Sequence, residues 1–131
     1  MNNELNTTPP PRATPILITV IALSLGYAIV RYNLVRDVPF ASLPLFITNK
    51  AVALAATLLI GISFVLGPLA RFAPVRFTPR LILRKPLGLW GFGLATLHAI
   101  MALVLLSPAY YSRFFLPEGK LNLIGETSML F

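Results

Sequence analysis

The sequence contains no cysteine, one histidine and four carboxylates among its 131 residues. The absence of cysteine excludes disulfides, cysteine nucleophiles and iron–sulfur clusters held by this chain. The acidic residues are scattered along the chain and are Glu4, Asp37, Glu118 and Glu126. Such scatter provides no paired-carboxylate site for acid–base catalysis. A glycine-rich phosphate loop is also absent, because Gly88, Gly91 and Gly93 lie within one apolar run rather than between a strand and a helix.

Charged residues are also few, at 11% of the chain, whereas hydrophobic residues make up 56% and the mean hydropathy is +0.80. This composition is that of an integral membrane protein rather than a soluble domain. A net charge of +7 is compatible with nucleic-acid binding, but the cations lie at the ends of apolar runs instead of along one amphipathic face. We therefore expect membrane lipids as partners and no nucleic acid.

Three uncharged runs reach the length of about 18 residues that a helix needs to cross a bilayer, at residues 13–30, 51–70 and 86–112. They predict an all-α membrane protein in which the transmembrane helices form a helical bundle. The predicted spans cover about residues 15–32, 50–70 and 86–107.

The two ends of the chain differ from these spans. Residues 1–14, with three consecutive prolines, are expected to form a disordered cytoplasmic tail. Residues 121–131 are apolar but cover only about half a bilayer as a helix, and a helix ending there would leave its last carbonyls unpaired in hydrocarbon. We therefore expect residues 121–131 to be the start of a fourth helix, in a transmembrane domain at residues 15–131 that belongs to a longer protein.

Positive charge is concentrated between the second and third spans. Residues 71–85 carry five cations and no anion, whereas residues 31–50 carry three cations and Asp37. The positive-inside rule therefore predicts that residues 71–85 and the amino terminus are cytoplasmic. The third span then runs outward, and His98 lies about 20 Å from Lys85, beyond the membrane midplane.

His98 is the residue of the third span with the clearest capacity for chemistry. An ionisable group inside a membrane is costly and marks a functional site by default, and neutral imidazole is a good ligand for haem iron. Gly91, Ala95 and Ala102 flank it on one side and would let a flat macrocycle approach the backbone. The same small residues would let another helix approach, and His98 would then form an interhelical hydrogen bond. The residues alone leave both interpretations open.

The stretch Leu83 to Leu89, which reads Leu-Arg-Lys-Pro-Leu-Gly-Leu, together with His98 resembles the third transmembrane helix of the ferric reductase-like transmembrane family. It is most similar to the six-transmembrane epithelial antigen (STEAP) metalloreductases. Their helix opens with a similar Arg-Lys-x-Leu-Gly-Leu and carries a haem-ligating histidine ten residues after the glycine, the spacing of Gly88 and His98 here. The haem-binding membrane subunit of methionine sulfoxide reductase and the NADPH oxidases share the broader plan.

This resemblance implies an oxidoreductase of the bacterial inner membrane that passes electrons through haem b. The donor would be cytoplasmic FAD or NAD(P)H, carried by a flavin reductase domain or subunit, and the acceptor would be a species such as ferric iron on the outer face. The resemblance implies that His98 is the axial ligand of the haem iron. It also implies contacts of Arg84 and Lys85 with a haem propionate or a flavin phosphate, and of Gly91 and Ala95 with the haem.

The chain departs from this family in one respect. Relatives supply the opposite axial histidine from a later helix, whereas His98 is the only histidine here. We therefore expect further spans with a second histidine in the longer protein; a homo-oligomer that shares one haem between two copies of His98 is the alternative. Outside the family, the alternative is a non-enzymatic membrane scaffold or assembly subunit in which His98 bonds between helices. A transporter ranks last, because a lone histidine without buried carboxylates makes a poor proton relay.

Overall fold

The computed structural model describes residues 12–36, 43–108 and 112–130. The helices are α1 (Ala13–Ile29), α2 (Thr48–Phe72), α3 (Pro74–Phe77), α4 (Arg84–Val104) and α5 (Leu123–Leu130). Turns of π-helix continue α1 at Val30–Leu34 and precede α2 at Leu43–Ile47. Turns of 3-10 helix follow α3 at Thr78–Leu83 and precede α5 at Ser112–Phe114. Of the predicted tail, residues 1–11 lie outside the described residues, whereas Ala13 and Thr14 belong to α1.

Three helical segments of the described chain are long and apolar enough to cross a membrane, namely Ala13–Leu34, Leu45–Phe72 and Pro74–Val104. In the most apolar 18-residue stretch of each segment, only 17%, 22% and 11%, respectively, is buried inside the protein. Exposed apolar surface of this extent requires lipid or further apolar protein around it. The predicted all-α membrane bundle with three transmembrane helices is therefore confirmed, and the protein is an integral membrane protein.

The helix ends differ by a few residues from the predicted spans. The second helix continues through Pro68 to Phe72, because a cation such as Arg71 at the membrane boundary ends an apolar run without ending a helix. The third helix ends at Val104, short of the predicted residue 107. Pro108 disfavours helical geometry at Ser107, the residue before it, so the helix does not extend to the predicted end.

The cation-rich segment 71–85, expected from the sequence only as a cytoplasmic connection, is mostly helical. Pro74 is the first residue of α3, and Pro79 is the second residue of the 3-10 turn at Thr78–Leu83. Proline is suited to these first positions because its missing N–H would have no helical partner there. The connection from α2 to α4 is therefore short and ordered, and it brings the two helices together as antiparallel neighbours.

The second helix is the centre of the bundle, since it contacts both α1 and α4, which make few contacts with each other. Its small residues let α1 and α4 approach closely, as expected where apolar helices pack in lipid. The main buried cluster joins α1, α2, the 3-10 turn and α4, and consists of Val20, Ala55, Leu59, Leu66, Leu83 and Leu87.

Gly91 marks the closest approach of α4 to α2. A β-carbon at this position would lie 2.7 Å from Cγ1 of Ile60, 3.0 Å from the backbone nitrogen of Ile60 and 3.3 Å from the backbone oxygen of Ala56. The first distance is shorter than real β-carbon contacts and the second is tight, so any larger residue would require Ile60 or the helices to shift.

Candidate functional site

The candidate site is the contact between His98 on α4 and Asn49 in the first turn of α2. Nδ1 of His98 lies 2.7 Å from Oδ1 of Asn49, a short hydrogen bond. An amide oxygen can only accept, so Nδ1 carries the proton and donates it. In the neutral imidazole Nε2 of His98 then keeps its lone pair, and the described residues offer it no hydrogen-bond partner.

Asn49 is completely buried, with an exposed fraction of 0%. Its position follows from the turn at Leu43–Ile47, which leads directly into α2, and from Ile47 and Ala51, which pack beside it against Ala28 of α1. The amide nitrogen of Asn49 is buried without a hydrogen-bond partner among the described residues. Leaving such a donor unpaired costs about 1–3 kcal/mol. Packing alone therefore does not explain why an amide occupies this buried position. The one hydrogen bond of the Asn49 side chain within the described residues is to His98.

The small residues beside His98 have separate roles in this arrangement. Gly91 is buried against Ile60 and Ala56, so the close approach that it permits is made by α2. Ala95 and Ala102 are half-buried, as is His98 itself. Gly91, a predicted cofactor-flanking residue, thus lies in the helix contact, one turn from Ala95.

Arg84 and Lys85 lie at the other end of α4, about 20 Å from His98 along the helix axis. Nε of Arg84 donates to the backbone oxygen of Ser63 at 3.2 Å, and Oγ of Ser63 donates to the backbone oxygen of Arg84 at 2.8 Å. Lys85 is exposed. The structure thus brings His98 to Asn49 and Arg84 to Ser63, but it does not bring Arg84 or Lys85 to His98.

Glycines make room for the contact of Arg84 with α2. A β-carbon at Gly88 would lie 3.1 Å from Oγ of Ser63, and one at Gly67 would lie 3.4 Å from Nη1 of Arg84. The distance at Gly88 is tight and that at Gly67 is an ordinary van der Waals contact, so the hydroxyl lies where a side chain at Gly88 would begin and the guanidinium lies directly against Gly67. The glycine of the Leu-Gly-Leu stretch therefore serves the packing of α4 on α2.

Sequence reasoning missed Asn49 and Ser63. Asn49 stands beside Lys50 at the edge of an apolar run, where a polar residue is ordinary, and Ser63 is one small polar residue within the run. The available signal was positional: in an antiparallel pair joined by a short connection, the start of α2 lies at the depth of His98. A search for polar residues at that depth would have found Asn49.

No group of three or more histidine, cysteine or acidic side chains that could hold a metal ion occurs in the part of the chain that the structure describes. A complete protein-built metal site is therefore not present among those residues. No family model, curated protein or solved structure matches the chain. Its function must be inferred from its own contacts.

The bond between His98 and Asn49 can be measured by a double-mutant cycle with His98→Ala and Asn49→Ala. Interhelical hydrogen bonds in membranes contribute about 0.6 kcal/mol on average and up to about 1.7 kcal/mol. Each single variant already removes the hydrogen bond, so the second substitution cannot remove it again. We therefore expect the effect of the double variant to be smaller than the sum of the single effects, by a coupling free energy within this range. Unfolding in mixed detergent micelles provides the free energies. Strictly additive effects would show that the two side chains do not interact.

Proposed function

We propose that this protein is a membrane-embedded electron-transfer component that binds haem b through Nε2 of His98. The observation that carries the proposal is the hydrogen bond from Nδ1 of His98 to Asn49. Histidines that bind metals almost always donate their other ring N–H to an acceptor, which fixes the tautomer and the ring orientation. Asn49 supplies that acceptor, and the ring nitrogen left with a lone pair is the one that could bind iron.

The surroundings of His98 fit the chemistry of a haem site. The imidazole is half-buried, and the residues one turn before and after it on the same face of α4 include Leu94 and Met101, which are half-buried as well. Apolar side chains of this kind can cover a macrocycle and exclude water from its iron. Bound haem would supply one-electron redox chemistry. His98 would bind the haem iron, and Asn49 would orient His98. The apolar side chains beside His98 on α4 would keep water away and so lower the local dielectric constant.

The direction of electron transfer in this proposal follows from the charge pattern. Residues 71–85, with five cations and no anion, favour a cytoplasmic location, which puts His98 nearer the outer face of a bacterial inner membrane. Electrons would then pass from a cytoplasmic flavin or NAD(P)H donor toward an acceptor such as ferric iron outside. Contacts of Arg84 and Lys85 with a flavin phosphate or a haem propionate remain a prediction; both residues lie about 20 Å from His98 along the helix axis.

A second candidate function is supported by the same hydrogen bond. The hydrogen bond of 2.7 Å joins α2 to α4, and this role explains a histidine in a membrane helix without any cofactor. The protein would then be a non-enzymatic scaffold or assembly subunit. The two functions differ in what Nε2 does: it binds iron in the first and has no ligand in the second.

Haemin titration of the purified chain tests the proposal. We expect a b-type spectrum after reduction. Because His98 is the only histidine, we also expect an open coordination position that carbon monoxide or added imidazole fills. Bovine serum albumin and a detergent blank measure non-specific haemin uptake. A spectrum no different from the detergent blank would contradict haem binding by this chain and favour the scaffold.

A further inference from the structure

A cavity of about 640 Å³ lies between the last turns of α2 and the first turn of α4. Its lining residues are Gly67, Pro68, Arg71, Phe72 and Arg84. Two arginine residues therefore line one opening, at the end of the bundle opposite the candidate site. No residue that holds His98 belongs to this lining.

The guanidinium of Arg84 is held in place but largely unused. Its Nε donates to the backbone oxygen of Ser63, and Gly67 leaves the space in which Nη1 lies. Guanidinium carries five N–H donors, and this contact uses one of them. The terminal nitrogens of Arg84 have no acceptor among the described residues. A fork of donors is thus fixed at the cavity with its hydrogen-bonding capacity free.

The cations of segment 71–85 fall into two groups. Arg76 and Arg80 lie over the ring of Phe77, with their Cζ atoms 5.9 Å and 5.4 Å from its centroid. Arg71 and Arg84 make no such ring contact in the described structure, and the segment contains no carboxylate. The two arginines without a ring contact are the two that line the cavity. Their charge is therefore available to an external anion at this opening.

We propose that this cavity binds the phosphate of an anionic phospholipid. Arginine pairs with phosphate through parallel charge-assisted hydrogen bonds, for which two guanidinium groups at one cavity are suited. A lipid is favoured over a soluble phosphate because the cavity continues into apolar surface. Phe72 is 87% exposed beside it, and Phe64, on the same face of α2 as Arg71, is 69% exposed. The phosphate occupies the cavity and an acyl chain covers Phe64.

Native mass spectrometry of the full chain in detergent, titrated with phosphatidylglycerol or phosphatidylcholine, tests this site. We expect one phosphatidylglycerol to remain bound at collision energies that remove phosphatidylcholine. Arg71→Gln and Arg84→Gln should each weaken phosphatidylglycerol binding about tenfold, since each removes hydrogen bonds to a charged group. Arg76→Gln and Arg80→Gln are matched controls that remove the same charge from the same segment, and they should weaken binding less than the two cavity variants do.

Arg71→Gln is the decisive variant, because Arg71 takes no part in the bonds between Ser63 and Arg84 and its loss leaves the helix pair intact. An equal loss of binding in all four variants would indicate diffuse attraction by net charge and would overturn the proposal. Retained binding in Arg71→Gln and Arg84→Gln would overturn it as well. Displacement of the lipid by millimolar inorganic phosphate, or by flavin adenine dinucleotide, would assign the cavity to a soluble phosphate compound instead.

Discussion

Replacement of His98 by alanine is expected to abolish haem binding by the purified chain, with a loss of affinity of more than about 100-fold. Mutation of an outer-shell partner of a metal ligand typically costs about 10–100-fold, so removal of the ligand itself should exceed that range. The measurement is a haemin titration followed by the reduced-minus-oxidised spectrum. Thr96→Ala is the matched control, since Thr96 lies on the same helix and its hydroxyl bonds the backbone oxygen of Phe92 at 3.1 Å.

A second variant, His98→Asn, separates the two candidate functions. The amide nitrogen of asparagine occupies the position of the imidazole Nδ1 and can donate to Oδ1 of Asn49, but asparagine has no imidazole nitrogen for iron. If His98 binds haem, the asparagine variant loses haem as completely as the alanine variant. If His98 only joins the helices, asparagine restores the stability that alanine removes, and no variant alters haemin uptake. Full haem affinity in His98→Asn would disprove ligation by His98.

Gly91→Val is expected to destabilise the pairing of α2 and α4 by about 1–3 kcal/mol or more, the range of overpacking in a close-packed contact. The first added carbon would lie 2.7 Å from a side-chain atom and 3.0 Å from a backbone atom of Ile60. Rotation of the Ile60 side chain can relieve the first clash, but only separation of the helices relieves the second. That separation would also lengthen the bond between His98 and Asn49.

Gly93→Val is the matched control for this prediction. It lies on the same helix, and a β-carbon there would have no atom within 4 Å outside its own helix. Both variants carry the same cost of a β-branched residue in a helix, so the difference between them isolates the contact with Ile60. Unfolding free energies in micelles, together with a cysteine crosslinking pair across α2 and α4, measure the effect. Equal stability of the two variants would show that Gly91 does not determine the helix separation.

The spans could be predicted from the sequence because the bilayer imposes their length. Apolar runs of about 18 residues or more predict helices, since a backbone in hydrocarbon must satisfy its own hydrogen bonds. The helix pairing could not be predicted in the same way. Lipid tails are as apolar as leucine, so an exposed face such as that of Phe92 and a packed face such as that of Leu87 have similar composition.

The candidate site was predictable in part for the same reason. His98 stood out because an ionisable residue in an apolar run is rare, whereas its partner is an ordinary residue at a helix start. The pairing depends on the register of α4 on α2, which the close contact at Gly91 determines. The sequence of α4 contains several glycines and does not indicate which of them contacts α2. Steric detail of this kind appears only once the two helices are placed against each other.

The two polar contacts between α2 and α4 have a mechanical consequence. His98 bonds Asn49 near one end of the helix pair, and Arg84 bonds Ser63 near the other, with Gly91 in close contact between them. Sliding one helix past the other by a single turn, about 5.4 Å, would break both bonds at once and press a larger residue onto Ile60. A piston motion of α4 against α2 is therefore excluded at low energy. Any rearrangement that preserves these bonds must carry α2 and α4 together as one rigid body, moving against α1 or against whatever surrounds them in the bilayer.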